Sequence, residues 1–155
     1  MTEPPPSRRL LLVNGPNLNL LGVREPEIYG HETLADVEAL TAKTAAVWGF
    51  EVRALQSNHE GVLIDAIHEA RLDCAGIVIN PGGLTHTSVV LRDALSGVAL
   101  PVAEVHISDV TKREDFRHFS YVRDVAVVHV IGEGVAGYAT AVSKLIEVIA
   151  GRTDG

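Results

Sequence analysis

Short β-branched or leucine-rich runs alternate along the chain with longer stretches whose apolar residues recur every three or four positions. The runs at 10–13, 51–55, 76–79, 102–106 and 125–131 predict five strands. Segment 33–48 carries apolar residues at 34, 37, 40, 45 and 47, with Thr33 as a cap and Gly49 just past the end, so it predicts a helix. Segment 60–72 shows the same periodicity at 62, 63, 66, 67 and 70, and 87–95 and 135–149 complete the alternation. A shorter turn of helix is predicted at 111–117, where Thr111 and Glu114 have capping-box spacing. Strict strand–helix alternation implies right-handed crossovers and a parallel sheet covered on both faces. Five strands suit an α/β, flavodoxin-like three-layer sandwich with strand order 2-1-3-4-5. Ligands of such sheets bind beyond the carboxyl ends of the strands, where the order reverses between the first and third.

At 155 residues the chain predicts one catalytic domain, 9–150, behind a proline-rich arm, 1–8, expected to be disordered and ahead of a frayed tail, 151–155. An apolar fraction of 46% with 21% charged residues excludes a disordered chain or a coiled coil. The formal net charge of −7 provides no basic patch for nucleic acid and disfavours an anionic membrane surface, so small molecules are the expected partners. A lone cysteine, Cys74, excludes a disulfide within the chain and a multi-cysteine zinc site, and the cytosol follows as the expected compartment. The apolar run behind Ser7-Arg8-Arg9 stops at Asn14, too short for the core of an export signal. No stretch approaches the roughly 18 to 20 apolar residues of a membrane span.

Three loops at the predicted carboxyl edge differ from ordinary connections. The segment from Asn14 to Gly30 far exceeds the about two to six residues usual between strand and helix, which predicts a lid rather than a plain surface loop. After the third strand, Asn80-Pro81-Gly82-Gly83-Leu84-Thr85-His86 leads into the next predicted helix. Gly82 and Gly83 could let backbone amides approach a ligand, with Asn80 and His86 reading hydroxyl groups, or could form a plain tight turn. The fourth strand ends Glu104-Val105-His106-Ile107-Ser108, and alternation puts Glu104 and His106 on one side. A carboxylate can then orient one ring nitrogen while the other faces a site, although a structural role for a lone strand-end histidine is the commoner case.

The runs NGPNLNLLG, REPEIYG, QSNHEG, NPGGLTHTS and EVHIS, in this order and at these separations, resemble the type II 3-dehydroquinate dehydratases from Leu11 almost to the carboxyl terminus. The resemblance implies conversion of 3-dehydroquinate to 3-dehydroshikimate in the shikimate pathway, through an enolate, without metal, cofactor or covalent intermediate, in a homo-oligomer that is typically a dodecamer built from trimers. Residue by residue, it implies that Tyr29 removes a proton from carbon 2 and that Arg24 activates it. A cation at about 4 Å in an effective dielectric of about 20 contributes roughly 4 kcal/mol, near three pKa units, just enough to ionise a phenol whose ordinary pKa is about 10. Arg113 matches a second, supporting cation. His106, oriented by Glu104, matches the acid that protonates the leaving hydroxyl, and Asn17 the residue holding a water against the enolate oxygen. The backbone amides of Ile107 and Ser108 match the carboxylate site, Asn80, His86 and Arg117 the ring-hydroxyl contacts, and Asp93 a contact supplied by a neighbouring subunit.

The residues themselves agree with the absence of imine chemistry: Lys43, Lys112 and Lys144 all fall in predicted helices, away from the three loops. Two positions depart from the family pattern, Asp109 in place of the usual asparagine and His129 in place of a small residue. Asp109 is expected to turn away and cap the short helix, and His129 to affect local packing alone. The run 132–137, Gly-Glu-Gly-Val-Ala-Gly, matches a dinucleotide fingerprint formally, but the chain ends before the strand and acidic residue that such a unit needs. The fold also admits a flavin-binding module at the same switch point, which is the alternative function. The histidines lack HExxH spacing, which ranks metal catalysis lower still.

Overall fold

The computed structural model describes residues 6–23 and 25–154, without the side chains of Tyr29, Thr153 and Asp154. Five parallel strands, β1 (Arg9–Asn14), β2 (Glu51–Gln56), β3 (Gly76–Asn80), β4 (Val102–His106) and β5 (Val128–Ile131), form one sheet of order β2-β1-β3-β4-β5. The flavodoxin-like order is the one the alternation predicts. Helices α2 (Leu34–Val47) and α5 (Gly137–Asp154) cover one face, and α3 (Glu60–Asp73) and α4 (Val89–Val98) the other.

Strand alternation divides the core. Leu10, Leu12, Val78, Ala103 and Val105 pack under α2 and α5, whereas Leu11, Val13, Ile77, Ile79 and Val102 pack under α3 and α4. Each fully buried leucine or isoleucine contributes about 1.5–3 kcal/mol, the source of the rigidity on which the loops are mounted. A polar link crosses this core. The fully buried Tyr138 hydroxyl on α5 donates to Asn14 Oδ1 at 2.7 Å and accepts from Asn80 Nδ2 at 2.9 Å, tying the carboxyl ends of β1 and β3 to one helix.

Several boundaries differ from the periodicity reading. β5 begins at Val128, not 125, because Ser120 Oγ accepts from the amides of Val122 and Arg123 and winds Arg123–Val125 into a 3-10 turn. Turn chemistry there overrides the β propensity of the valines. α4 starts at Val89 behind Ser88, whose hydroxyl accepts from Leu91 N, and the glycine pair belongs instead to a separate 3-10 turn, Gly82–His86. No long-helix amino terminus therefore meets Gly82 and Gly83. The short helix is two 3-10 turns, Val110–Lys112 and Asp115–Arg117, and Asp109, not Thr111, supplies the cap through Thr111 N at 3.0 Å. Within the expected arm, Ser7 Oγ donates to the Asp73 carbonyl at 2.7 Å and the Arg8 guanidinium lies 5.7 Å from the Phe50 ring centre, so both are docked. α5 runs on to Asp154, continuing through Gly151.

Tyr138→Phe would take the described partner from two buried atoms, Asn14 Oδ1 and Asn80 Nδ2, and we expect a loss of about 1–3 kcal/mol in urea unfolding. An unchanged unfolding midpoint would contradict the structural weight given to this link.

Candidate active site

The loops after β1 and β3 are packed backbone against backbone. Gly15 N donates to the Asn80 carbonyl at 2.8 Å, and a Cβ at Gly15 would lie 2.3 Å from the Pro81 carbonyl oxygen. Gly82, at φ +61°, is also tight, an added Cβ lying 2.9 Å from the Pro16 carbonyl oxygen, and receives its orientation from Asn80 Oδ1, which accepts from Gly82 N at 3.1 Å. Asn80 is thus buried and already bonded on both ends of its amide, so its first role is to shape the turn. Gly83 faces open space.

Beside this turn, β4 delivers Glu104 and His106 to the same side of the sheet, as alternation requires. His106 Nε2 lies 2.7 Å from Glu104 Oε2, with His106 5% and Glu104 0% exposed. Burial alone would raise the carboxyl pKa, but hydrogen bonds from His106, Ser120 and His129 and the attraction of His106 outweigh it and bring Glu104 down to about 2. Glu104 is therefore ionised at neutral pH, accepts from Nε2–H, and can stabilise His106 as an imidazolium. Nδ1 of His106 has no bond to any described residue, and the ring lines a cleft with Pro16, Asn80, Gly82, Ser108 and Arg113.

The chain past His106 forms an anion cradle. The backbone amides of Ile107 and Ser108 donate to no other described residue, and both residues line the cleft. Arg113 reaches the same place, with its guanidinium 3.4 Å from Ser108 Oγ. The Asp109 carboxylate is engaged by Thr111, whose hydrogen bonds hold its pKa below the ordinary carboxylate range and so keep it charged.

The remaining predicted residues divide into three groups. His86 stands next to the cleft with Nδ1 2.7 Å from the Phe119 carbonyl; burial, with His106 and Arg117 nearby, holds its pKa below the ordinary value despite that bond. It is neutral at pH 7, with Nδ1–H donating to the carbonyl and Nε2 left as an acceptor. Asn17 sits on the cleft rim in a left-handed conformation, and its backbone N–H donates to Asn58 Oδ1 at 2.9 Å. Arg117 and Asp93 do not line the cleft: Arg117 Nε donates to Glu114 at 2.5 Å, and Asp93 is exposed on α4. Arg24 and the side chain of Tyr29 lie outside the described residues; the Tyr29 backbone ends a one-turn helix, α1 (Pro26–Tyr29).

Three contributors escaped the sequence reading. Ser120 Oγ donates to Glu104 Oε2 at 2.6 Å from a segment with no motif to mark it. Gln56 Nε2 bonds the Gly15 carbonyl at 3.1 Å and Asn58 Oδ1 at 3.2 Å, bracing the first loop; both belong to the QSNHEG run, which was the available signal. His129, expected to matter for packing alone, is paired with Glu104 across the β4–β5 register, its Nδ1 3.4 Å from Oε1. A larger cavity of about 440 Å³ lies at the amino-terminal edge of the sheet among Arg9, Glu51 and Asp73, whose charges are mutually paired, and contains none of these groups.

Comparison with known proteins identifies the family to which this fold and cleft belong. Residues 8–146 match the family model for dehydroquinase class II. The chain is 60% identical over 137 residues to the 3-dehydroquinate dehydratase of Corynebacterium glutamicum, covering 88% of this chain and 94% of that one. It is 59% identical over 142 residues to catabolic 3-dehydroquinase 2 of Aspergillus flavus, covering 92% and 95%. The crystal structure of type II dehydroquinase from Butyrivibrio crossotus superposes with a TM-score of 0.87 at 44% identity, covering 90% of this chain and 98% of that one. The chain belongs to the class II dehydroquinase family. It is accordingly an enzyme, a hydro-lyase acting on a small substrate, and the flavin-binding alternative is set aside.

Because the Glu104 pKa falls from an ordinary 4.5 to about 2 on folding, its stabilising contribution is complete above about pH 4.5 and is lost as the pH drops through 2. In acid unfolding curves Glu104→Gln should flatten the stability profile across that window, and a profile as steep as the parent's would count against an ionised buried carboxylate.

Proposed function

We propose that the cleft dehydrates 3-dehydroquinate to 3-dehydroshikimate by an enolate elimination in which Tyr29 is the base and His106 the acid. The observation that carries this reading is the buried, ionised Glu104 bonded to His106 beside two unengaged backbone amides. The substrate carboxylate accepts from the amides of Ile107 and Ser108, with Arg113 adding positive charge. Asn80 and His86 contact the ring hydroxyls, Arg117, which pairs with Glu114 outside the cleft here, is the further contact the family resemblance implies, and a water held by Asn17 donates to the ketone oxygen. The phenolate of Tyr29, kept ionised by Arg24, takes a proton from carbon 2, and the C–H electron pair moves into the ketone as an enolate. The enolate then collapses: the carbon 1–oxygen bond breaks, and the imidazolium of His106 gives its proton to the departing hydroxyl, which leaves as water. Glu104 stabilises that imidazolium and keeps the ring aimed.

Asp93 is exposed on α4, so in this reading it serves the cleft of a neighbouring copy within a homo-oligomer. Support comes from apolar groups with no cover in one chain: Val89 and Val90 on α4, Phe116 and Phe119 are each about half exposed or more. A trimer-based assembly, extended to a dodecamer, covers this face. Among the described residues no helix is long and apolar enough to cross a membrane, and the cytosol is the proposed compartment.

Mixed with 3-dehydroquinate, the purified protein should generate an ultraviolet enone signal without added metal and unaffected by borohydride pretreatment. Tyr29→Phe and His106→Ala should each lower turnover by roughly 10²- to 10⁴-fold with the assembly intact; near-parental rates in either would remove that assignment. Coexpressed Asp93→Ala and His106→Ala chains should recover part of the rate each variant alone has lost, because a mixed assembly rebuilds complete sites. Absence of any recovery would place Asp93 outside a shared site.

A further inference from the structure

Glu104 has no solvent exposure, and its two oxygens are served unequally. Oε2 accepts from both His106 Nε2 and Ser120 Oγ, at 2.7 and 2.6 Å, while the single described partner of Oε1 is His129 Nδ1. His129 comes from the edge strand, in register with Glu104, between the buried Val128 and Val130, and its own side chain is 39% exposed. Alternation alone brings it to the Glu104 side of the sheet.

We propose that His129 is a positioning residue for the dehydration, acting through Glu104 to fix the acid His106. An ionised oxygen left unpartnered in a dry interior is costly, so without His129 the carboxylate would turn to share its remaining donors between both oxygens. That rotation moves Oε2, and the His106 ring follows the oxygen that holds its Nε2–H. Ser120 cannot prevent it, because its hydroxyl bonds the same oxygen as His106. His129 does not line the cleft, so its effect falls on the chemical step rather than on binding. The ring is absent from the cleft lining and donates one N–H, which makes the role testable by a side chain that keeps the donor and loses the ring.

This inference rests on His106 being the acid, and two independent readouts separate the two ideas. His129→Val keeps a strand-compatible side chain without a donor, and His129→Asn puts an amide N–H near the place of Nδ1. We expect His129→Val to lower kcat by roughly three- to tenfold with KM within about twofold, since small displacements of a catalytic group cost up to about 10²-fold. His129→Asn should restore most of the loss, and in a Glu104→Gln background His129→Val should add little, as expected for groups acting through one another. The second readout is the downfield proton resonance of His106 Nε2–H, which should move in His129→Val and return in His129→Asn whether or not the protein turns over. An unmoved resonance, an unchanged kcat, a loss that asparagine does not restore, or multiplicative losses with Glu104→Gln would each overturn the role of His129. Full activity in His106→Ala would instead sink the acid assignment while leaving the resonance test of the Glu104 link intact.

Discussion

A carboxylate sealed from water governs this site. Transferring Glu104 into the interior disfavours its charge, and the structure answers with three donors from three separate places: His106 on the same strand, His129 on the neighbouring strand and Ser120 in the turn between them. The apolar sheet offsets the cost of that burial, and in return the low-dielectric surroundings keep the His106–Glu104 bond short and directional. The rest of the site is arranged around the histidine so fixed. The amides of Ile107 and Ser108 follow it in the chain, and the β3 turn approaches from one side because Gly15 and Gly82 allow two backbones to touch.

The fold places these groups by simple geometry. Parallel strands end together at one edge, so the loops after β1, β3 and β4 converge without any long-range search. Glu104 and His106 share a face because they are two residues apart, and Tyr138 secures the two central strands beneath them through Asn14 and Asn80. The family to which the chain belongs performs a dehydration, and a cleft with an oriented imidazole beside unengaged amides suits the protonation of a leaving group on an anionic substrate.

Much of this was legible in the residues. The five strands, their order, and the Glu104–His106 pairing follow from periods of two and of three to four, and the ordered motifs marked the loops that matter. What escaped was set by contacts between segments far apart in sequence. His129 could be tied to Glu104 only with the β4–β5 register known, and the register depended on where β5 began. That boundary was hidden because Ser120 winds the preceding valines into a turn that propensity alone reads as strand. The helix predicted over 87–95 starts at Val89 because Ser88 is its cap, and Asn80 gives the glycines before it a turn of their own. The cap at 109 was legible because an aspartate two residues before a threonine carries its own local chemistry.

Neutron diffraction from the deuterium-exchanged protein at neutral pH tests the central claim most directly, because it locates the protons between Glu104 and His106. The account predicts no deuteron on either Glu104 oxygen and one on His106 Nε2, pointing at Oε2. A deuteron on the carboxyl group, or a bare Nε2 facing it, would contradict the account.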